Sequence, residues 1–88
     1  MPYSLKIKKT ALKELRQFDK PTRERIVSAI DQLANNPHVG KLLKGDLSGL
    51  RRIRVGSYRV IYEINETEVL VLVVRVAQRK DVYRGKPS

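Results

Sequence analysis

Leu50-Arg51-Arg52-Ile53-Arg54-Val55-Gly56-Ser57-Tyr58-Arg59-Val60-Ile61-Tyr62-Glu63-Ile64 is the stretch on which the reading of the whole chain turns. Two β-prone runs, 50–55 and 58–64, flank Gly56-Ser57, a two-residue loop of the Gly-X kind that suits a type II′ hairpin turn. With that loop, Val55 opposes Tyr58, Arg54 opposes Arg59, Ile53 opposes Val60 and Arg52 opposes Ile61. Directly opposed residues share a face of the ribbon. One face then carries Ile53, Val55, Tyr58, Val60, Tyr62 and Ile64, which is the composition of a core. The other carries Arg52, Arg54 and Arg59, with no acidic residue before Glu63. Opposed like charges destabilise a hairpin. Basic residues on an open strand face often serve only to solubilise it and to prevent edge aggregation. Mixed charge would serve that purpose as well, whereas a purely cationic face suits an anion. The planar guanidinium fork matches phosphate oxygens better than a lysine does.

Working outward, Tyr3–Lys8 alternates apolar and polar residues, the pattern of a half-buried strand. The period then lengthens. Ala11, Leu12, Leu15 and Phe18 fall at helical spacing behind Thr10, read as an N-cap. Pro21 opens a second helix, in which Ile26, Val27, Ile30, Leu33 and Ala34 line one side until Asn35-Asn36-Pro37 ends it. Residues 38–49, with Gly40, Gly45 and Gly49, read as a loop. Glu68–Val76 is almost continuously apolar, as expected of a central strand covered on both faces. The expected fold is a single α+β domain over residues 1–88 in the order β-α-α-β-β-β. Strands near 3–8, 50–55, 58–64 and 68–77 form a small, mainly antiparallel sheet. A helical hairpin, near 10–18 and 21–35, packs on one face of it.

Charge narrows the function. Nineteen Lys and Arg against nine Asp and Glu give +10, and the isoelectric point is about 10.3. The excess favours a polyanionic partner. Residues 41–62 alone carry six basic groups and one acid. There is no cysteine and one histidine, so neither a disulfide framework nor a zinc site is expected. No apolar run approaches the roughly 20 residues of a membrane span, and the N-terminal residues show no signal-peptide core. The expectation is a soluble cytoplasmic protein. His38 is read as a solvated loop residue, and Tyr3, Tyr58 and Tyr62 as packing. Arg75, Arg79, Tyr83 and Arg84 join the arginine face if the last strand ends beside the hairpin. Parity does not decide it, because one slip in register flips every side chain.

At these residues the chain resembles a known family. Lys41-Leu42-Leu43-Lys44-Gly45 followed by Gly49–Tyr62, the opening Tyr3–Leu15 and the ending Arg79-Lys80-Asp81-Val82-Tyr83 are similar to the RelE/ParE toxin superfamily. The resemblance implies the toxin of a type II toxin–antitoxin pair, a ribosome-dependent endoribonuclease that cleaves mRNA in the ribosomal A site. In that chemistry the RNA 2′-hydroxyl attacks its own phosphate, so no cofactor or metal is called for. The family's catalytic positions fall on Arg52, Arg54, Arg59, Arg79 and Tyr83, and Lys41, Lys44, Arg51, Arg75, Lys80 and Arg84 are the expected RNA and ribosome contacts. RelE members commonly carry lysine where this chain has Arg52 and Arg54. A guanidinium stays protonated, so these two are suited to holding the phosphate and offsetting charge rather than to removing a proton. Tyr83 is then the candidate base or base-stacking platform, with Arg79 the donor to the leaving oxygen. The histidine and glutamate pair of some relatives has no evident counterpart. The implied partners are ribosome, mRNA and a RelB-type antitoxin with an acidic or amphipathic segment. The toxin alone is expected to be a monomer, and with its antitoxin a hetero-oligomer. The alternative is a ParE-type toxin, which shares the fold but inhibits DNA gyrase by protein contacts. A basic RNA-binding module without catalysis is a third reading.

Overall fold

The structure is a computed structural model that describes residues 2–78. In chain order it comprises β1 (Ser4–Ile7), α1 (Lys9–Arg16), α2 (Lys20–Leu33), a 3-10 turn (Pro37–Val39), β2 (Lys41–Leu42), a second 3-10 turn (Gly45–Leu47), β3 (Arg51–Val55), β4 (Tyr58–Asn65) and β5 (Leu70–Gln78). The strands form one sheet in the order β1-β5-β4-β3-β2. Among the described strands only the β1–β5 pairing is parallel, so the sheet is mainly antiparallel, as expected. A fifth strand, β2, was not expected. It is two residues long and pairs Lys41 with Arg52 and Leu42 with Arg51 at the sheet edge. Two residues carry no detectable period, which is why the segment reads as a loop.

The hairpin has the register that its turn demands. Arg54 pairs with Arg59, Ile53 with Val60 and Arg52 with Ile61. Gly56 sits at φ +62° and Ser57 is not left-handed, the sign pattern of a type II′ turn. Val60 and Tyr62 are buried with Val71, Val73 and Val76 of β5 against Ala11 and Leu15 of α1 and Ile26, Ile30 and Leu33 of α2, while Ile53, Val55, Tyr58 and Ile64 pack at the margin. The helical layer therefore covers the expected apolar face.

Three local expectations are corrected. Thr10 is not the cap of α1. The helix starts at Lys9, its cap is Lys8, two residues before Thr10, and no side chain caps it. Leu12 is 38% exposed and Val27 37%, because Ala11 and Leu15 on α1, and Ile26, Ile30 and Leu33 on α2, take the core-facing positions and turn their neighbours outward. Glu68 and Val69 belong to the β4–β5 turn rather than to the last strand, and Val69 takes φ 52° there.

β5 is internal, as its apolar run suggested, but it is irregular. Ile61 pairs with Arg75 and Tyr62 with Val73, so Val74 is an extra residue without a cross-strand partner. This bulge resets the alternation. Val71 and Val73 before it and Val76 after it all reach the same core, although their spacing changes from two to three.

Candidate nucleic-acid interface

Register now assigns faces. The cross-strand row Lys41–Arg52–Ile61–Arg75 and the row Arg54–Arg59–Ala77 lie on the face turned away from the core side chains. Lys41, Arg52, Arg54 and Arg59 thus come together as the hairpin register requires, and β2 adds Lys41 to the group. Arg54 is exposed, whereas Arg59 is only 2% exposed. That corrects the picture of a uniformly wet arginine face. A buried guanidinium loses rotamer freedom and keeps its charge at a fixed point, where reduced screening strengthens its field. Both side chains, with Gly56, Ser57 and Tyr58, line an open pocket of about 310 Å³ at the tip of the hairpin. That volume is at the lower end of the range for small-ligand sites. It suits a phosphodiester or one nucleobase better than a bulky ligand.

Other expected contacts are placed differently. Arg51 pairs with Tyr62 and so lies on the core side. Its Nη1 donates to the carbonyl of Gly40 at 2.8 Å and to that of His38 at 3.4 Å, bracing the loop that leads into β2. Arg75 donates through Nε to Glu14 of α1 at 2.8 Å, and its Nη2 lies 2.8 Å from the same oxygen. The other Glu14 oxygen accepts the backbone N–H of Val76 at 2.8 Å. Because β1 pairs with β5 only as far as Val73, Glu14 takes over the edge that β1 leaves uncovered. Lys44 is exposed between β2 and the second 3-10 turn. Arg79, Lys80, Tyr83 and Arg84 lie outside the described residues.

A second polar cluster sits at the far end of β4. The Tyr3 hydroxyl donates to Glu66 at 2.7 Å, and the other Glu66 oxygen lies 2.9 Å from His38 Nε2. The Tyr3 and His38 rings meet edge to face at 6.3 Å. The hydrogen bond from Tyr3 and then that from His38 hold the Glu66 carboxyl below its ordinary pKa, while the bond to Glu66 pushes the Tyr3 phenol up. His38 is therefore paired rather than merely solvated. Six residues of β4, Val60–Asn65, separate Glu66 from Arg59, seven steps or about 23 Å along an extended strand. A shared reaction centre with Arg54 and Arg59 is excluded by that distance. Next to the cluster, the buried Tyr62 hydroxyl donates to the Pro37 carbonyl at 2.6 Å and accepts the Gly40 N–H at 3.0 Å. Burial pushes the Tyr62 phenol up, against smaller lowering effects of that N–H and of Arg51. No spacing rule links positions 3, 38, 62 and 66, so sequence reading missed this network.

The comparisons with known proteins agree with this geometry. The family described as the ParE toxin of type II toxin–antitoxin systems matches residues 5–83. Toxin RelE of Mycobacterium tuberculosis is 36% identical over 88 residues, which is 98% of this chain and 91% of that protein. Toxin RelG of the same organism is 34% identical, covering 96% of this chain and 99% of its own. Among solved structures, a RelBE toxin–antitoxin complex from Mycobacterium tuberculosis superposes with a TM-score of 0.84 at 30% identity, over 90% of this chain and 100% of the other. The chain belongs to the ParE toxin family of type II toxin–antitoxin systems. Within it, the protein is a RelE-like toxin.

Proposed function

We propose that this toxin is a ribosome-dependent endoribonuclease that cuts mRNA in the A site and so stops translation. The observation that carries the reading is the pairing of Arg54 with Arg59 beside Arg52 and Lys41, on a face that opens into a pocket at the hairpin tip. Arg52 and Arg54 hold the scissile phosphate, and Arg59 meets the charge that develops on it. The RNA 2′-oxygen attacks phosphorus as its proton passes to a base. The P–O5′ bond breaks, the 5′-oxygen takes up a proton, and the products are a 2′,3′-cyclic phosphate and a free 5′-hydroxyl. Tyr83 is the candidate for the base, or for a platform that stacks the nucleobase, and Arg79 for the donor to the leaving oxygen. A phenol is a weak base at its ordinary pKa near 10, and neighbouring guanidiniums would lower it. Lys41, Lys44, Arg75, Lys80 and Arg84 widen the basic surface toward rRNA, while Arg51, on the core side, braces the loop that leads to Lys41.

The partner that restrains the toxin is an antitoxin segment, acidic or amphipathic, in keeping with the +10 charge and with the toxin–antitoxin complex that the fold resembles. The proposed location is the cytoplasm, where ribosomes are. Programmed ribosomes incubated with the protein, with mRNA 5′ ends mapped afterwards, test the proposal. Cleavage within the A-site codon is expected. Intact mRNA together with inhibition of gyrase supercoiling would overturn it in favour of a ParE-type activity.

A further inference from the structure

Arg25 stands on the exposed side of α2, yet its guanidinium folds onto the hairpin turn. A β-carbon placed on Gly56 would lie 3.0 Å from Arg25 Nη2 and 3.8 Å from its Cζ. Among the described residues, Arg25 makes no hydrogen bond or ion pair. Its own helix offers no carboxylate to pair with it, because the residues three and four positions away are Pro21, Thr22, Ser28 and Ala29. The same turn borders the pocket lined by Arg54 and Arg59. A third cation therefore abuts a turn that two others already flank. Methylene packing explains where the stem of an arginine lies. It does not explain why the charged head stays where like charges repel it.

We propose that Arg25 is an RNA-contacting residue that extends the phosphate site across the Gly56-Ser57 turn. It takes a phosphate of the single strand neighbouring the one held by Arg54. Gly56 makes this possible twice over. Its φ of +62° builds the turn, and its missing side chain leaves room for the guanidinium. The basic track then runs from the sheet over the hairpin tip to α2, so the single strand is held on both sides of the turn. The assignment rests on the RNA-directed reading above and adds a residue that neither charge spacing nor family resemblance marked.

The test is binding of a short fluorescein-labelled single-stranded RNA, fully 2′-O-methylated so that it cannot be cut, read by anisotropy over a series of salt concentrations. Arg25→Gln should weaken binding about fivefold at low salt. It should also reduce the slope of log Kd against log salt by about 0.7, the contribution of one phosphate contact on a single strand. Arg25→Lys should recover most of that slope. Lys6→Gln, which removes one charge from the opposite edge strand β1, controls for net charge and should leave the slope nearly unchanged. Thermal unfolding of Arg25→Gln should show no loss of stability, since relief of repulsion offsets the lost stem contacts. Equal slopes for Arg25→Gln and Lys6→Gln would overturn the assignment, as would failure of the wild type to bind the RNA. The ribosome assay separates the two claims. Wild-type cleavage with an unchanged Arg25→Gln slope removes only Arg25 from the site. A reduced slope without cleavage keeps Arg25 and removes the nuclease.

Discussion

Replacing Tyr62 by Phe tests whether the loop before β2 is held by one hydroxyl. The ring is fully buried, so the substitution keeps the packing and removes a single oxygen. That oxygen donates to the Pro37 carbonyl and accepts the Gly40 N–H. A buried polar group stranded by loss of its partner costs about 1–3 kcal/mol. With two groups affected and partial relaxation of the loop, about 2–4 kcal/mol is expected. A domain of this size has about 4–13 kcal/mol in total, so the loss is a large share. In urea, with a slope of about 1.5 kcal/mol per molar, the unfolding midpoint should fall by roughly 1.3–2.7 M. The effect should extend to the basic face, because Gly40 immediately precedes Lys41, whose pairing with Arg52 fixes the outer edge of β3. Amide exchange should accelerate at Lys41 and Arg52 before it does in β4 or β5. A midpoint shift below about 0.5 M with unchanged exchange at these positions would refute the reasoning.

Further outcomes follow from other sites. Arg54→Ala should weaken binding of single-stranded RNA and lower the salt slope by about 0.7, one phosphate contact; wild-type affinity and slope would remove Arg54 from the interface. Tyr83→Phe keeps the ring and removes a hydroxyl. If that hydroxyl handles a proton, single-turnover cleavage on programmed ribosomes should drop about 10²–10⁴-fold with ribosome affinity retained, while wild-type rates would reduce Tyr83 to a stacking platform. The depressed Glu66 carboxyl contributes stability that is present above its unfolded pKa of about 4.5. That contribution fades as pH falls through the still lower folded value. Thermal unfolding from pH 6 to pH 3 should therefore show a steeper acid loss for the wild type than for Glu66→Gln, and parallel curves would show that the contacts from Tyr3 and His38 do not hold the carboxylate.

The hairpin was legible because Gly56-Ser57 allows one register and that register gathers Ile53, Val55, Tyr58, Val60, Tyr62 and Ile64 on one side. The same logic placed Arg54 opposite Arg59. It could not say that Arg59 is buried while Arg54 is exposed, since burial depends on what covers a strand rather than on its alternation. The bulge at Val74 left no trace either. In Leu70–Val74 every residue is apolar, so an extra one breaks no pattern. The clamp between Glu14 and Arg75 joins residues 61 positions apart, and the Tyr3–Glu66 bond spans 63. Such pairs exist only once the sheet order is known. The role of Arg25 belongs to the same class, because its meaning comes from a turn that lies thirty-one residues downstream.

The parallel pairing of β1 with β5 has a consequence for the order of folding. The first strand made must wait for the last of the described strands, and β4 also completes its hydrogen bonding on β5. The helical hairpin and the β3–β4 ribbon are local and form early, but the layer between them closes late, across nearly the full length of the sequence. During synthesis the arginines of the ribbon therefore emerge on an unfinished sheet. A chain still being translated has the charges of the toxin without the rigid frame that aims them.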